Sequence, residues 1–315
     1  MTESAQTIDL SIVIPVRDEE QTIPELVRRL TAVVSKMGET AEFIFVTDVN
    51  TDNTVEVLRD AHRVDPRVKM VKLATSSGQN VAAMAGLRAS RGQRVVLMDG
   101  DLQDHPEDIP QMAQRMEEGF DVVYGVKERK DESALRNILS ATFIRLLNRL
   151  SDYPLNHNTC MFRIMSRRTV DAICLFPEPE PVITGLVSLI GFPISSVPVT
   201  SGTRHAGETK YSGLRLMNLA LSYTLSFSTK PLRMISIIGL IVSGFSFAYL
   251  VFALIEAIFF GITEVGWPTL VCLIVLIGGM QLFALGVIGE YIGRIFLQTK
   301  SRPLYIIDET LGDIG

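Results

Sequence analysis

Five short apolar runs recur along the first part of the chain, and amphipathic stretches separate them. Each run is rich in valine or isoleucine, which is typical of strands covered on both faces of a sheet. The runs are LSIVIP (10–15), EFIFVT (42–47), VKMVKL (68–73), RVVLM (94–98) and DVVYG (121–125). Strands that alternate with helices at this spacing predict βαβ units and a mostly parallel α/β sheet.

The first helix carries a start signal. Thr22 and, three residues later, Glu25 match a capping box, in which the threonine side chain caps the helix. Apolar residues follow at Leu26, Leu30 and Val33. This pattern predicts an amphipathic helix that begins at Thr22 and packs on the sheet.

Two long apolar segments lie in the last third of the chain. Residues 235–260 contain one charge, Glu256, and residues 270–288 contain none. A helix over the shorter segment would be about 28 Å long, close to the roughly 30 Å hydrocarbon core of a bilayer. Either segment alone is also compatible with a buried helix of a soluble core. Two in tandem at this length favour two transmembrane helices.

Positive charges flank the two segments on their outer sides. Lys230 and Arg233 come before them, Arg294, Lys300 and Arg302 come after them, and the connecting GITEVGWP has neither lysine nor arginine. The positive-inside rule places both flanks in the cytoplasm. The acidic N-terminus resembles no signal peptide, so the first domain is expected to stay there too. We therefore predict a multi-pass protein of the inner (cytoplasmic) membrane with a cytoplasmic catalytic domain.

The hydropathy profile predicts four parts. They are a cytoplasmic α/β domain (1–211), a juxtamembrane amphipathic helix (212–230), two transmembrane helices (231–293) and a cytoplasmic tail (294–315). Leucines and few charges in the second part fit a helix lying on the membrane surface, and they fit an ordinary packing helix equally well.

Composition narrows the possible functions. The chain of 315 residues is 47% hydrophobic and carries a net charge of −5. Nonspecific nucleic-acid binding needs a basic surface, so we expect no nucleic-acid partner. The three cysteines are far apart and have neither a metal-binding nor a disulfide spacing.

The strongest chemical motif is MDGDLQDHPED at residues 98–108. Asp99 and Asp101 directly follow an apolar run, which places them at the carboxyl end of a strand, where ligands of open parallel sheets bind. Two carboxylates one residue apart suit Mg²⁺ or Mn²⁺, and such a metal would stabilise a departing nucleoside diphosphate. A simple polar turn is the alternative. Asp104 is expected to add charge or a supporting hydrogen bond.

Acidic residues also follow the first two strands. Asp18 stands after the first, and Asp48 and Asp52 stand after the second. Such side chains can accept hydrogen bonds from a base or from ribose hydroxyls, whereas Asp18 and Asp52 can equally cap the following helices. Asp48, immediately after its strand, is the better ligand candidate.

Taken together, the motifs resemble the family 2 polyisoprenyl-phosphate glycosyltransferases over residues 9–308. The matching segments are IVIPVRDEE, FVTDVNTDNT, GQNVAAMAG, MDGDLQDHPED, CMFRIMSRR, RHAGETKYS and IGEYIGRIFLQTKSRPLY. The resemblance implies a GT-A (Rossmann-like) domain, a UDP-linked nucleotide-sugar donor, a divalent metal and inverting transfer to a polyisoprenyl-phosphate lipid. It also implies two membrane helices and a homotetramer. Through CMFR, the chain most resembles the branch that transfers 4-deoxy-4-formamido-L-arabinose to undecaprenyl phosphate.

The resemblance also assigns roles to individual residues. It places Pro15, Asp18, Glu19, Asp48, Gln79 and Asp99 in the donor site, with Asp48 at the base and Asp101 and Asp99 at the metal. Arg204 and Lys210 are expected to meet the donor or lipid phosphate, Arg204 as a bidentate partner and Lys210 as a point charge.

Several positions depart from the family pattern. Arg17 replaces an aromatic residue, Thr47 replaces an aspartate, and Val49 stands where the family has glycine. Met161 replaces the aspartate before Phe-Arg, and His157 stands where the formamido-arabinose branch has an acidic residue. These changes leave the sugar open.

Transfer to a lipid phosphate does not require the missing aspartate. A phosphate monoester is largely a dianion at neutral pH and is already a nucleophile, so it needs alignment rather than a general base. Two alternatives stay open: transfer to another lipid acceptor, and a catalytically degenerate protein that binds nucleotide or lipid and supports a partner enzyme.

Overall fold

The computed structural model describes residues 8–127, 161–178, 181–200, 230–260, 267–300 and 302–314. The chain divides into two compact units. The first contains residues 1–146, 153–212 and 302–315, and the second contains residues 147–152 and 213–301. The finer domain boundaries predicted from the sequence stay predictions.

The described residues of the first unit form one eight-stranded sheet in the order β7-β5-β6-β4-β1-β2-β3-β8. The strands are β1 (Leu10–Val16), β2 (Ala41–Thr47), β3 (Val68–Leu73), β4 (Arg94–Leu97), β5 (Val122–Lys127), β6 (Arg163–Ser166), β7 (Ile194–Val199) and β8 (Ile307–Leu311). Strands β4, β1, β2 and β3 run parallel to their neighbours in that group, and β5 runs parallel to β7. Strand β6 is antiparallel to β4 and β5, and β8 is antiparallel to β3. The predicted mostly parallel α/β sheet is confirmed.

Helices connect these strands. In the first unit they are α1 (Ile23–Met37), α2 (Thr54–Val64), α3 (Gln79–Ala89), α4 (Ile109–Glu117), α5 (Arg167–Cys174) and α6 (Ile183–Ile190), and a 3-10 turn (Pro106–Asp108) precedes α4. Every residue of β1 is buried, as expected for a central strand covered on both faces. Helix α3 lies very close to the sheet because Gly86 has no side chain, and a Cβ there would meet Val13 Cγ1 at 2.3 Å.

The start of α1 corrects the capping prediction. The helix begins at Ile23 after Thr22, as expected, but the threonine side chain makes no cap hydrogen bond. Its hydroxyl instead donates to Glu19 Oε2 at 2.7 Å, and Glu25 pairs with Arg28. The threonine φ and ψ angles are already helical, so its hydroxyl does not face the amides of the first turn.

The second unit contains two long helices, α7 (Lys230–Phe260) and α8 (Trp267–Thr299). Among the described residues, one helical stretch, Leu276–Thr299, is long and apolar enough to cross a membrane. Its large side chains are exposed, including Leu282 at 72% and Phe283 at 67%. An apolar, uncovered helix surface of this size fits a lipid environment better than water. A membrane crossing by α7 stays a prediction.

Residues 302–315, which follow α8, belong to the first unit. Strand β8 extends the sheet beside β3, and Ala74 N donates to the Ile306 carbonyl oxygen at 2.9 Å. Arg59 holds both carboxylate oxygens of Glu309, at 2.9 and 2.8 Å. The sequence predicted a tail here, and the structure makes that tail the edge strand of the sheet.

Candidate active site

The candidate site lies where the central parallel strands end. Strands β1, β2 and β4 are adjacent and parallel, so the residues that follow them share one edge of the sheet. Asp18 follows β1, Asp48 follows β2, and Asp99 and Asp101 follow β4. This edge is the ligand-binding edge of open α/β sheets.

The backbone between Asp99 and Asp101 packs tightly on β1. A Cβ on Gly100 would lie 2.6 Å from Val16 Cγ1, so only glycine fits there without a shift. Beyond it, Leu102 adopts a positive φ of 62°. The turn fixes Asp101, whose Oδ1 accepts from Gln103 N at 3.0 Å and whose Oδ2 accepts from Gln103 Nε2 at 2.6 Å.

The buried side chain of Asp104 stabilises this turn. It is 1% exposed, and its Oδ2 accepts a hydrogen bond from Asp99 N at 3.0 Å. Its Oδ1 lies 2.8 Å from the ammonium nitrogen of Lys127, at the end of β5. The supporting hydrogen bond expected from the sequence is confirmed. The ion pair with Lys127 was not predicted from the sequence, because it joins two strand ends that are distant along the chain.

Gln79, the first residue of α3, holds the Asp99 side chain, with Nε2 donating to Oδ1 at 2.5 Å. Burial, followed by the nearby carboxylates of Asp104 and Asp101, raises the pKa of Asp99 to about 7, and Lys127 and Gln79 oppose that rise. Burial disfavours the charged form of this carboxyl group, and the two neighbouring carboxylates disfavour it further.

The donor set at Asp99 and Asp101 fits a hard divalent cation. Carboxylate oxygens are the protein ligands that Mg²⁺ and Mn²⁺ prefer, and both leave coordination positions for phosphate oxygens and water. In the parts of the chain that the structure describes, no three acidic, histidine or cysteine side chains group as a complete metal cage. A cation at this site could also take water or phosphate oxygens as ligands, as Mg²⁺ commonly does.

Asp48 forms a second acidic position on the same edge. It is 5% exposed, and its Oδ2 accepts from Ser76 Oγ and Ser77 N, each at 3.2 Å. Among the described residues, its Oδ1 has no hydrogen-bond partner. A buried carboxylate oxygen of this kind is costly unless a donor reaches it. A ligand N–H group would satisfy it.

Asp18 and Glu19 connect the loop after β1 to the loop after β2. Asp18 has a φ of 55° and accepts from Thr51 N at 2.6 Å, and Glu19 N donates to Thr54 Oγ1 at 2.9 Å. Asp52 Oδ1 accepts from Thr54 N at 3.0 Å, which agrees with the helix-capping alternative. Pro15 is buried inside β1. Contacts of Pro15, Asp18 and Glu19 with a nucleotide stay predictions.

Val49 does not strain the backbone. It stands where the family has glycine, but in the described chain the non-glycine residues with positive φ are Asp18 and Leu102. The backbone at Val49 therefore does not require the conformational freedom of glycine. The valine side chain is 49% exposed beside Asp48.

Sequence reasoning missed three residues of the site. Ser76 and Ser77 hold Asp48, and they follow β3 just as the acids follow their own strands. That position after a third parallel strand was the available signal. Arg17 was noted as a departure, yet its Nη1 donates to Ser76 Oγ at 3.0 Å and so it belongs to the site.

His157, Arg204 and Lys210 fall outside the described residues. The Met161 carbonyl oxygen accepts from Arg163 Nε at 3.0 Å. The Arg163 side chain is buried over the ring of Tyr124, with the guanidinium carbon 4.9 Å from the ring centroid.

Comparison with known proteins identifies the family of this chain. The profile described as Glycosyl transferase family 2 matches residues 11–174. The uncharacterized glycosyltransferase YkcC of Bacillus subtilis (strain 168) is 39% identical over 97% of this chain and 95% of its own. The prophage bactoprenol glucosyl transferase homolog of Escherichia coli (strain K12) is 34% identical over 95% of this chain and 98% of its own. The bactoprenol glucosyl transferase of Shigella phage SfX is 36% identical, with the same coverage.

Solved structures resemble the chain more distantly. Mannosyl-3-phosphoglycerate synthase from Rubrobacter xylanophilus has a TM-score of 0.49 and 15% identity, covering 70% of this chain and 73% of that one. Glucosyl-3-phosphoglycerate synthase from Mycobacterium tuberculosis, in complex with Mn²⁺, UDP-glucose and phosphoglyceric acid, has a TM-score of 0.48 and 18% identity, covering 70% and 79%.

Proposed function

Because the chain belongs to glycosyl transferase family 2, we propose that it transfers a hexose from a UDP-linked donor to polyisoprenyl phosphate, giving a lipid-linked monosaccharide for the cell envelope. The observation that carries the proposal is the acidic rim of the GT-A domain, where Asp48, Asp99 and Asp101 follow adjacent parallel strands. Relatives that align over nearly the whole chain and are named for glucosyl transfer to bactoprenol support the acceptor.

The reaction exchanges one bond at the sugar. An oxygen of the lipid phosphate attacks the anomeric carbon, and the bond from that carbon to the diphosphate breaks with its electron pair on the nucleoside diphosphate. Attack from the opposite face inverts the anomeric configuration. The lipid phosphate already carries the needed charge, so the absence of an aspartate at Met161 does not prevent transfer.

The protein's part is to align the two substrates and to tolerate the charge of the leaving group. Asp99 and Asp101 would hold a divalent cation, which neutralises the departing diphosphate. Gln79 and Gln103 hold these carboxylates by the contacts at 2.5 and 2.6 Å. Arg204 and Lys210, predicted from the family resemblance, supply cations for the lipid phosphate in this proposal.

The path of the chain supports two membrane crossings. Residues 153–212 and residues 302–315 belong to the same compact unit, whereas residues 213–301 form the other. A chain that leaves a cytoplasmic domain and returns to it crosses the membrane an even number of times. If the stretch Leu276–Thr299 crosses, a second crossing is required, and α7 is long enough at 31 residues.

We retain the predicted homotetramer as part of the proposal.

The sugar is proposed as a hexose because the relatives carry glucosyl transferase names, and no relative reported above is named for formamido-arabinose transfer. The test uses the purified full-length protein with Mn²⁺, a panel of UDP-hexoses and UDP-formamido-arabinose. Each donor is paired with undecaprenyl phosphate or undecaprenol, and the mass of the lipid product is measured by mass spectrometry.

We expect one hexose to be added to the phosphate lipid and none to the alcohol. Equal transfer to the alcohol would favour a different lipid acceptor. Binding of nucleotide without any lipid product, across the whole donor panel, would favour the degenerate binding protein.

A further inference from the structure

Arg17 lies close to Asp48 and contacts the loop after β3. It follows β1 directly, and its Nη1 donates to Ser76 Oγ at 3.0 Å, so it spans from the end of β1 to the loop after β3. The side chain is 56% exposed, and its Nε lies 3.9 Å from both Asp48 Oδ1 and Asp18 Oδ2. The hydrogen bond to Ser76 therefore holds the planar Arg17 guanidinium next to the buried Asp48.

Asp48 has one carboxylate oxygen that no hydrogen-bond donor of the described residues reaches. Its Oδ2 is engaged by Ser76 and Ser77. Its Oδ1 is buried without a hydrogen-bond partner among the described residues, and Arg17 Nε at 3.9 Å is too distant to donate to it. One free acceptor oxygen matches a base with a single ring N–H, such as uracil. Guanine offers two adjacent donors and would need both oxygens.

We propose that Arg17 is a specificity-determining residue of the donor site, whose guanidinium plane packs on the face of a uracil base bound through Asp48. The inference rests on the proposed function and specifies how its donor is recognised. A guanidinium is planar, delocalised and weakly hydrated, so it stacks on flat rings in a way that an ammonium does not.

The surrounding charges favour the base over the diphosphate as the partner of Arg17. Two carboxylates, Asp18 and Asp48, lie 3.9 Å from the arginine and offset its positive charge. A phosphate placed there would meet those carboxylates as well as the cation. The neutral face of a base meets no such repulsion, and the diphosphate is expected near Asp99 and Asp101 instead.

The experiment is calorimetric titration of the full-length protein in Mn²⁺ with UDP, GDP and pyrophosphate. Three variants separate the two properties of the guanidinium. Arg17→Ala removes both the planar group and the positive charge. Arg17→Lys keeps the positive charge alone, and Arg17→Tyr keeps a planar group alone. Arg28→Ala is the matched control, because Arg28 is an exposed arginine paired with Glu25 on α1. Thermal unfolding of each variant checks that the protein is folded.

For the wild type we expect UDP to bind more tightly than GDP. Arg17→Ala and Arg17→Lys should each weaken UDP binding about tenfold, in line with one stacking contact. Arg17→Tyr should stay within about threefold of the wild type, since stacking tolerates either kind of flat group. Pyrophosphate binding and the Arg28→Ala control should stay unchanged.

The failures are distinguishable. If the wild type binds no UDP, the proposed donor itself is wrong. If it binds UDP and all three Arg17 variants match it, the donor stands and the role of Arg17 is wrong. Equal losses for UDP and pyrophosphate would make Arg17 a phosphate contact, and wild-type binding by Arg17→Lys would assign the effect to charge. Tighter binding of GDP would contradict the match to uracil.

Discussion

The first residue of α3, Gln79, donates a hydrogen bond of 2.5 Å from its amide to Oδ1 of Asp99 at the end of β4. The loop that leads into this helix also carries Ser76 and Ser77, which hold Asp48. One segment, residues 74–79, therefore positions both the acid assigned to the base and an acid assigned to the metal.

Replacing Gln79 should weaken donor binding without unfolding the protein. In Gln79→Ala, Asp99 loses a hydrogen bond worth about 1.5 kcal/mol, so affinity for UDP in Mn²⁺ should fall about tenfold. Calorimetric titration measures the change, and Gln114→Ala, at an exposed position of α4, serves as a control. Wild-type affinity in Gln79→Ala would show that the contact does not position Asp99 for the donor.

The glycine between the two aspartates should tolerate no side chain. In Gly100→Ala, the new Cβ would lie 2.6 Å from Val16 Cγ1. Val16 is buried and stiff, so the clash should cost about 1–3 kcal/mol and displace the aspartates. Transfer should be lost, and the midpoint of thermal unfolding should fall.

Removing the obstructing methyl group gives the matched rescue. The double variant Gly100→Ala/Val16→Ala frees the space that the new Cβ needs, so it should recover part of the transfer activity lost in Gly100→Ala. If the double variant has no more transfer activity than Gly100→Ala, the contact between residues 100 and 16 does not explain the requirement for glycine.

The carboxylate of Asp121 should make stability depend on pH. Hydrogen bonds from Arg168, and further ones from Ser166, outweigh burial and hold the pKa of Asp121 below its usual value. A lowered pKa in the folded state stabilises the protein above the unfolded pKa, near 3.9, and this contribution is lost as pH falls through the folded pKa.

Asp121→Asn should therefore destabilise the protein by about 2 kcal/mol at neutral pH. Thermal unfolding measured at several pH values should bring variant and wild type together as the pH drops below about 4. A difference that stays constant across this range would mean that the charge of Asp121 is not what stabilises the fold. Asp60→Asn, on the surface of α2, is the control.

The parallel centre of the sheet was predictable because burial on both faces requires continuous apolar runs. The run at 68–73 coincides with β3, and the run at 10–15 falls one residue short of β1. Strand β8 was missed, since its sequence IDETL is largely polar and partly exposed at the sheet edge. Its position depends on pairing with β3, far away in the sequence, which no local pattern encodes.

The same distinction applies to the site. Asp48, Asp99 and Asp101 were predictable because each directly follows a predicted strand, and parallel strands end at a common edge. The contact of Arg17 with Ser76 joins loops 59 positions apart. The pairing of Lys127 with Asp104 joins the end of β5 to the turn after β4. Such contacts arise only when the sheet is assembled.

The central claim is that Asp99 and Asp101 hold the metal-bound donor for transfer to a lipid phosphate. The most direct test is the mass of the lipid formed by full-length Asp99→Asn/Asp101→Asn with Mn²⁺, undecaprenyl phosphate and the donor that the wild type uses. Glu118→Gln, on the surface beside Arg115, is the control. We predict hexosyl-phosphoryl lipid from wild type and control, and at least a thousandfold less from the double variant, on the order of one lost metal site. Undiminished product from the double variant would contradict the claim.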